Sequence, residues 1–154
     1  MPWFDELVVG ERWDLGAHVF EREEILRFAR VFDPQPFHLD EEAAKASLFG
    51  RLSASGWHTA AVCMRLIVET SVRLYGPPAA GGARIGVSPG FSDMRWTKPV
   101  LVGDEIAYSS EIVAKRETSR PGWGLVSHRN VGVNARGETA ISFGSSVFWS
   151  RRRA

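Results

Sequence analysis

An aspartate and a histidine lie five residues apart in a segment that two prolines stiffen. The segment reads FDPQPFHLD, with Asp33 and His38 on either side of Pro34 and Pro36. Because proline fixes its own backbone and restricts the residue before it, the two side chains are held near one another. Such a pair can position a water molecule, take a proton from it and deliver a proton to a carbon or an oxygen. The alternative is a capped helix end with a surface histidine.

A serine and a glycine begin the longest apolar-rich run of the chain, from Ser55 to Tyr75. The run predicts a helix of about 20 residues that spans about 30 Å. The first N–H groups of a helix have no acceptor within it, and glycine allows close approach. Gly56 can therefore hold a carbonyl oxygen on which negative charge develops. Ser55 fits either a helix N-cap or a contact to substrate, and the two roles are compatible.

This long helix is apolar on most sides, so we expect the rest of the domain to enclose most of it. The sequence Gly76-Pro77-Pro78 is predicted to end it. Cys63 lies within it and is expected to be a buried apolar side chain. Trp57 is expected to face the core, and His58 to be partly exposed. The predicted apolar face comprises Trp57, Ala60, Ala61, Met64, Ile67, Val68, Val72 and Tyr75.

Shorter elements precede this helix. Residues 13–20 alternate loosely and predict a strand. Apolar residues at spacings of three and four then predict an amphipathic helix from Glu21 to the Asp33-Pro34 step, where proline ends it. Asp40 is predicted to cap a short helix that follows the proline-rich segment.

The second half of the chain changes to period two and to turn residues, which predicts strands. His18 and His128 are interpreted as surface residues of strands. Helices followed by a run of antiparallel strands predict the α+β class, with the long helix on one face of the sheet. The predicted strands are IGVS near Ile85, FSDMRWTKPV, DEIAYSSEIVAKRETS, GLVSHRNVGVN and ETAISFGSSVFWS.

Composition excludes several classes of function. A chain of 154 residues with 44% hydrophobic residues predicts a single soluble domain over residues 1–154. One cysteine excludes an intramolecular disulfide and a cysteine zinc cluster, and four scattered histidines offer no metal-ligand set. The net charge of +1 argues against nucleic acid as a partner. Neither a membrane span nor a signal peptide is indicated, so a cytoplasmic location is expected. The run Arg151, Arg152 and Arg153 is interpreted as a solvated tail.

The motifs resemble those of one known family. The sequences D-P-Q-P-F-H-L-D, A-S-G-W-H and K-P-V-L-V-G-D occur in this order over roughly residues 20 to 150. They resemble the D-x-N-P-x-H-x-D, H-G and P-V-x-x-G-D patterns of the MaoC-like hydratases, the (R)-specific enoyl-CoA hydratase group. Two positions depart from the pattern, since Gln35 stands where the family has Asn and Ser55 where it has His.

The resemblance implies a hot-dog fold, in which an antiparallel sheet wraps around the long helix, and a homodimer with its site near the subunit interface. It implies that Asp33 and His38 activate water for syn addition to a trans-2-enoyl-CoA thioester, or catalyse the reverse dehydration. The N–H of Gly56 would polarise the thioester carbonyl, and Ser55 and Gln35 would contact substrate. Neither a metal nor a redox cofactor is implied.

Two other functions remain open on the same fold. The first is an acyl-CoA thioesterase, which also needs a carboxylate, a water molecule and a helix N-terminus, but places its acid on or near the central helix. No acidic residue stands between Ser55 and Thr59. The second is a non-catalytic subunit that binds acyl thioesters, which the serine at position 55 keeps open.

Overall fold

One antiparallel sheet of five strands organises the protein. The computed structural model describes residues 1–77 and 81–152. The spatial order of the strands is β1-β3-β4-β5-β2, so β1 and β2 form the two edges. The strands are β1 (Arg12–Val19), β2 (Gly90–Trp96), β3 (Glu105–Glu117), β4 (Trp123–Asn134) and β5 (Thr139–Ser150).

In the part of the chain that the structure describes, a short 3-10 helix (Phe4–Glu6) and four α-helices precede β2, and local signals define the α-helices. Asp33 follows the last residue of the first helix, directly before Pro34. Pro36 begins the second helix, a four-residue turn that sequence reasoning treated as a loop. Asp40 caps the third helix by accepting a hydrogen bond from the Ala43 N–H at 2.8 Å, as predicted. The helices are α1 (Arg22–Phe32), α2 (Pro36–Leu39), α3 (Glu41–Lys45) and α4 (Gly56–Tyr75).

The core lies between the inner face of the sheet and helices α1 and α4. Alternate residues of β3 and β5 face inwards, among them Ile106, Tyr108, Ile141 and Phe143, all buried. The helix α4 begins and ends where the sequence predicts, and Gly76 caps it with φ of 73°. The α+β class and the hot-dog arrangement of a sheet around one long helix are confirmed. None of the described helices is long and apolar enough to cross a membrane.

The predicted apolar face of α4 is not the face that meets the sheet. Trp57 is 59% exposed, and Val68 and Val72 are also exposed, so the expectation that Trp57 faces the core is wrong. The helix is apolar on two sides, and the more polar of them is the side that other described residues cover. The buried residues of α4 are His58, Thr59, Val62, Cys63, Leu66, Thr70 and Ser71.

Three further expectations are corrected. Residues near Ile85 form only an isolated bridge to Trp149 rather than a strand. His128 is 7% exposed, because its side chain lies on the inner face of β4 beneath α4. The C-terminal arginines are not simply solvated, since Arg151 pairs with Glu117 at 2.9 Å. Pro78 and Arg153 lie outside the described residues.

Candidate active site

Asp33 lies at the C-terminal end of α1, and neighbouring side chains hold both of its carboxylate oxygens. The hydroxyl of Ser55 donates to Oδ2 at 2.7 Å. The side-chain amide of Gln35 donates to Oδ1 at 2.8 Å. Both donors come from positions that sequence analysis singled out, and they fix the orientation of the carboxylate.

His38 lies on α2 and is 5% exposed. Its Nδ1 is 2.8 Å from the carbonyl oxygen of Ser53, so the proton of the neutral imidazole resides on Nδ1 and donates to that oxygen. The other ring nitrogen, Nε2, is 3.5 Å from Asp33 Oδ2. The fixed tautomer leaves Nε2 free to accept a proton at the side where the carboxylate lies.

Several contacts act together on the acidity of Asp33. Burial alone raises the pKa of a carboxyl group, but the hydrogen bonds that the Ser55 hydroxyl and the Gln35 amide donate outweigh it. The pKa of Asp33 is therefore lowered from its ordinary value. The carboxylate is ionised near neutral pH and can accept a hydrogen bond from water.

Gly56 is the first residue of α4 and lies beside Asp33 and His38. Its N–H has no acceptor among the hydrogen bonds of the described residues, as expected for the first residue of a helix. Ser55 is the N-cap, since its Oγ accepts a hydrogen bond from the Trp57 N–H at 3.2 Å. The hydroxyl of Tyr108 donates to the Thr59 carbonyl at 3.1 Å and attaches this turn to the sheet.

A cavity of about 380 Å³ joins these elements. Asp33, Gln35, His38 and Gly56 line it, whereas Ser55 is buried behind Asp33 and does not. Ser55 is predicted to contact substrate. In the structure its hydroxyl instead contacts the Asp33 carboxylate, away from the cavity.

Trp96, which the sequence patterns do not indicate, lies against Gly56 and forms part of the cavity wall. Its Nε1 donates to the Gly56 carbonyl at 2.9 Å. A Cβ atom at position 56 would lie 2.7 Å from the Trp96 ring, so a larger residue there would force the ring to move. Trp57 packs edge-on against Trp96, with 5.3 Å between ring centroids. No local sequence pattern indicates a contact across forty residues.

A carboxylate between two histidines ties α1 to the first turn of α4. Glu24 lies 2.9 Å from His18 Nε2 and 3.4 Å from His58 Nε2. His58 is buried rather than partly exposed, and stacks on Phe28 with 4.6 Å between ring centroids. Burial lowers the pKa of His58 despite the nearby carboxylate. This contact holds the helix that ends at Asp33 against the helix that begins at Gly56.

Cys63 is fully buried in α4, and burial raises its pKa to about 12, which agrees with its predicted role as an apolar side chain. Among the described residues, no group of three or more histidine, cysteine, aspartate or glutamate side chains is arranged to hold a metal ion.

Comparison with known proteins gives a family match and close structural neighbours. The family model described as "MaoC like domain" matches residues 10–130. A crystal structure of a MaoC-like dehydratase from Rhodospirillum rubrum is 39% identical, with a TM-score of 0.84 and full coverage of both chains.

Two further proteins are similar over much of the chain. The protein YdeM of Bacillus subtilis is 31% identical over 112 residues, which cover 73% of this chain and 74% of YdeM. The (R)-hydratase from A. caviae involved in PHA biosynthesis is 26% identical, with a TM-score of 0.71 over 92% of this chain and 96% of that one.

Proposed function

The chain belongs to the MaoC-like domain family, and on this premise we propose that it is a hydratase or dehydratase of 2-enoyl-CoA and 3-hydroxyacyl-CoA thioesters. The observation that carries the proposal is the pair of Asp33 and His38 Nε2, 3.5 Å apart, beside the free N–H of Gly56 in one cavity. The similar (R)-hydratase from A. caviae supports the same class of reaction.

The Asp33 carboxylate and His38 Nε2 lie close enough to accept hydrogen bonds from the same water molecule. Ionised Asp33 and the unprotonated Nε2 of neutral His38 each accept a hydrogen bond, which leaves a lone pair of the water for C3 of the enoyl group. Addition forms the C3–O bond while the pair takes one proton from the water. The pair returns a proton to C2 on the same face, so one water adds across the double bond in the syn sense.

Negative charge develops on the thioester carbonyl oxygen during this addition. The Gly56 N–H lies at the positive end of α4 and donates to that oxygen. Ser55 and Gln35 act on Asp33 rather than on the reacting atoms, because their hydrogen bonds end on its carboxylate. In this proposal they are positioning residues.

The proposal includes a homodimer. Three exposed apolar residues of α4, Met64, Val68 and Val72, lie on the same side of the protein as Phe91 of β2, which is also exposed. The outer edge of β2 pairs with no strand in the described part of the chain. An exposed apolar patch beside an open sheet edge suits a second copy of the same chain.

A single domain over residues 1–154 and a cytoplasmic location complete the proposal. The only cysteine is buried and unpaired, which is typical of reducing compartments.

The test is hydration of crotonyl-CoA, followed by loss of the enoyl absorbance. We expect wild-type turnover, and losses of about 10²–10⁴-fold in Asp33→Asn and His38→Ala. Unchanged rates in both variants would contradict the assignment. Release of free thiol from acyl-CoA would indicate the thioesterase alternative, and saturable binding without either reaction would indicate the binding subunit.

A further inference from the structure

A second and larger cavity, of about 590 Å³, lies beneath the C-terminal half of α4. Its walls are mainly apolar and include Met64, Val68 and Phe91, so the second copy of the proposed homodimer would cover the open side of this cavity. The inner face of the sheet forms its base and carries polar side chains at this point, although the rest of that face is largely hydrophobic. The polar floor consists of Ser110, His128, Asn130 and Ser145.

Two buried atoms of the polar floor have no hydrogen-bond partner in the described part of the chain. They are His128 Nε2 and Asn130 Oδ1. Asn130 is 0% exposed, and its Nδ2 donates to Ser145 Oγ at 2.9 Å, which leaves its oxygen unused. His128 packs against Trp13, with 5.7 Å between ring centroids. Unpartnered buried polar atoms cost free energy unless a ligand or water completes them.

The chemistry of these atoms selects the group that completes them. Asn130 Oδ1 only accepts, so its partner must donate a hydrogen bond. Burial lowers the pKa of His128 to about 4, so the ring is neutral near pH 7 and can donate from Nε2. Arg84 supplies the only charged side chain among the described residues around this cavity, and it is exposed at the rim. A hydroxyl group, which donates and accepts at once, fits better than a carboxylate or an ammonium group.

Residues of α4 and β2 line both cavities. Trp57 and Trp96 line the first cavity, and Met64 and Phe91 of the same helix and strand line the second. Gly56 and Met64 are about 12 Å apart along the helix axis, at 1.5 Å per residue. An acyl chain that has its thioester at Gly56 and runs parallel to α4 would therefore approach the polar floor after about 12 Å.

We infer that the polar floor makes this protein selective for acyl thioesters that carry a hydroxyl group near the far end of a medium-length chain. This inference rests on the proposed function for the placement of the thioester. Asn130 Oδ1 accepts a hydrogen bond from the hydroxyl, and His128 Nε2 donates one to it.

The test compares binding of two saturated thioesters that cannot be hydrated, decanoyl-CoA and 10-hydroxydecanoyl-CoA, by titration calorimetry. We expect wild-type protein to bind the hydroxylated thioester about tenfold more tightly, as one or two neutral hydrogen bonds provide. Asn130→Leu and His128→Phe keep the approximate size of each side chain. Each should bind the two thioesters with about equal affinity. Ser127→Ala is the matched control, because its side chain lies on the opposite face of β4.

Equal affinity of the wild-type protein for the two thioesters, or binding of neither, would overturn the inference. So would a preference that both substitutions leave intact. If a variant does not fold, the affinities of the wild-type protein for the two thioesters still test the inference. If crotonyl-CoA is not hydrated but the binding preference is present, the proposed function fails and the inference stands.

Discussion

The hydroxyl of Ser55 donates a hydrogen bond to Asp33 Oδ2 at 2.7 Å, while its oxygen accepts one from the Trp57 N–H at 3.2 Å. One side chain thus caps α4 and orients a carboxylate that belongs to α1. The end of the first helix and the beginning of the long helix are fixed to each other at the atoms where the proposed chemistry takes place.

Ser55→Ala is expected to reduce hydration of crotonyl-CoA and to shift its pH profile. The hydrogen bond from Ser55 lowers the pKa of Asp33, so removing it raises that pKa. The acid limb of kcat/KM should therefore move to higher pH. Loss of the cap alone should lower the free energy of unfolding by about 1 kcal/mol.

Ser55→Thr is the matched control, because it retains a hydroxyl that can both cap and donate. It should keep the acid limb near its wild-type position. A Ser55→Ala variant with lower stability but an unmoved acid limb would show that Ser55 is only a cap.

Gly56→Ala is expected to damage the site more than its single methyl group suggests. The new Cβ would lie 2.7 Å from Trp96 Cε2 and 2.8 Å from Nε1. The ring must therefore shift, which breaks its hydrogen bond to the Gly56 carbonyl. Alanine keeps the backbone N–H, but displacing this N–H by about 1 Å would cost about 10²-fold in kcat/KM. Trp fluorescence should change as well.

The double variant Gly56→Ala with Trp96→Ala separates the clash from other effects. Removal of the ring gives the new methyl group space. The double variant should therefore lose less unfolding free energy than the two single variants lose in sum. Additive effects would show that the methyl group and the ring do not meet.

The residues of the candidate site could be predicted from the sequence because their signals are local. Pro34 and Pro36 confine Asp33 and His38, and Ser55 followed by Gly56 marks a helix start, so a short stretch of sequence determines each piece. The contact of Trp96 with Gly56 depends on how β2 lies against α4, which no local pattern contains. The polar neighbours of His128 favour a surface position, but the register of β4 decides which residues of the strand face the core.

Folding stability should depend on pH through His128. Burial lowers the pKa of His128 from its ordinary value of 6.5 to about 4, so the unfolded chain binds a proton between these values that the folded protein does not. Stability therefore falls as the pH decreases through 6.5 and levels off below 4. Urea unfolding of wild type should lose about 2 kcal/mol more between pH 7.5 and pH 5 than His128→Phe does. Identical pH dependence in the two proteins would place His128 in a solvated environment.

Val68→Asp is expected to separate the proposed homodimer into monomers. Val68 is 55% exposed in one protomer, on the face of α4 that we assign to the second copy. A carboxylate there is harmless in a monomer but buried without a partner in a dimer, which costs several kcal/mol. Leu74→Asp is the matched control, because Leu74 is 50% exposed on the same helix but about 120° further around its axis from Val68. Sedimentation velocity should give a dimer for wild type and Leu74→Asp, and a monomer for Val68→Asp. A monomeric wild type, or a Val68→Asp variant that stays dimeric, would remove this face from the interface.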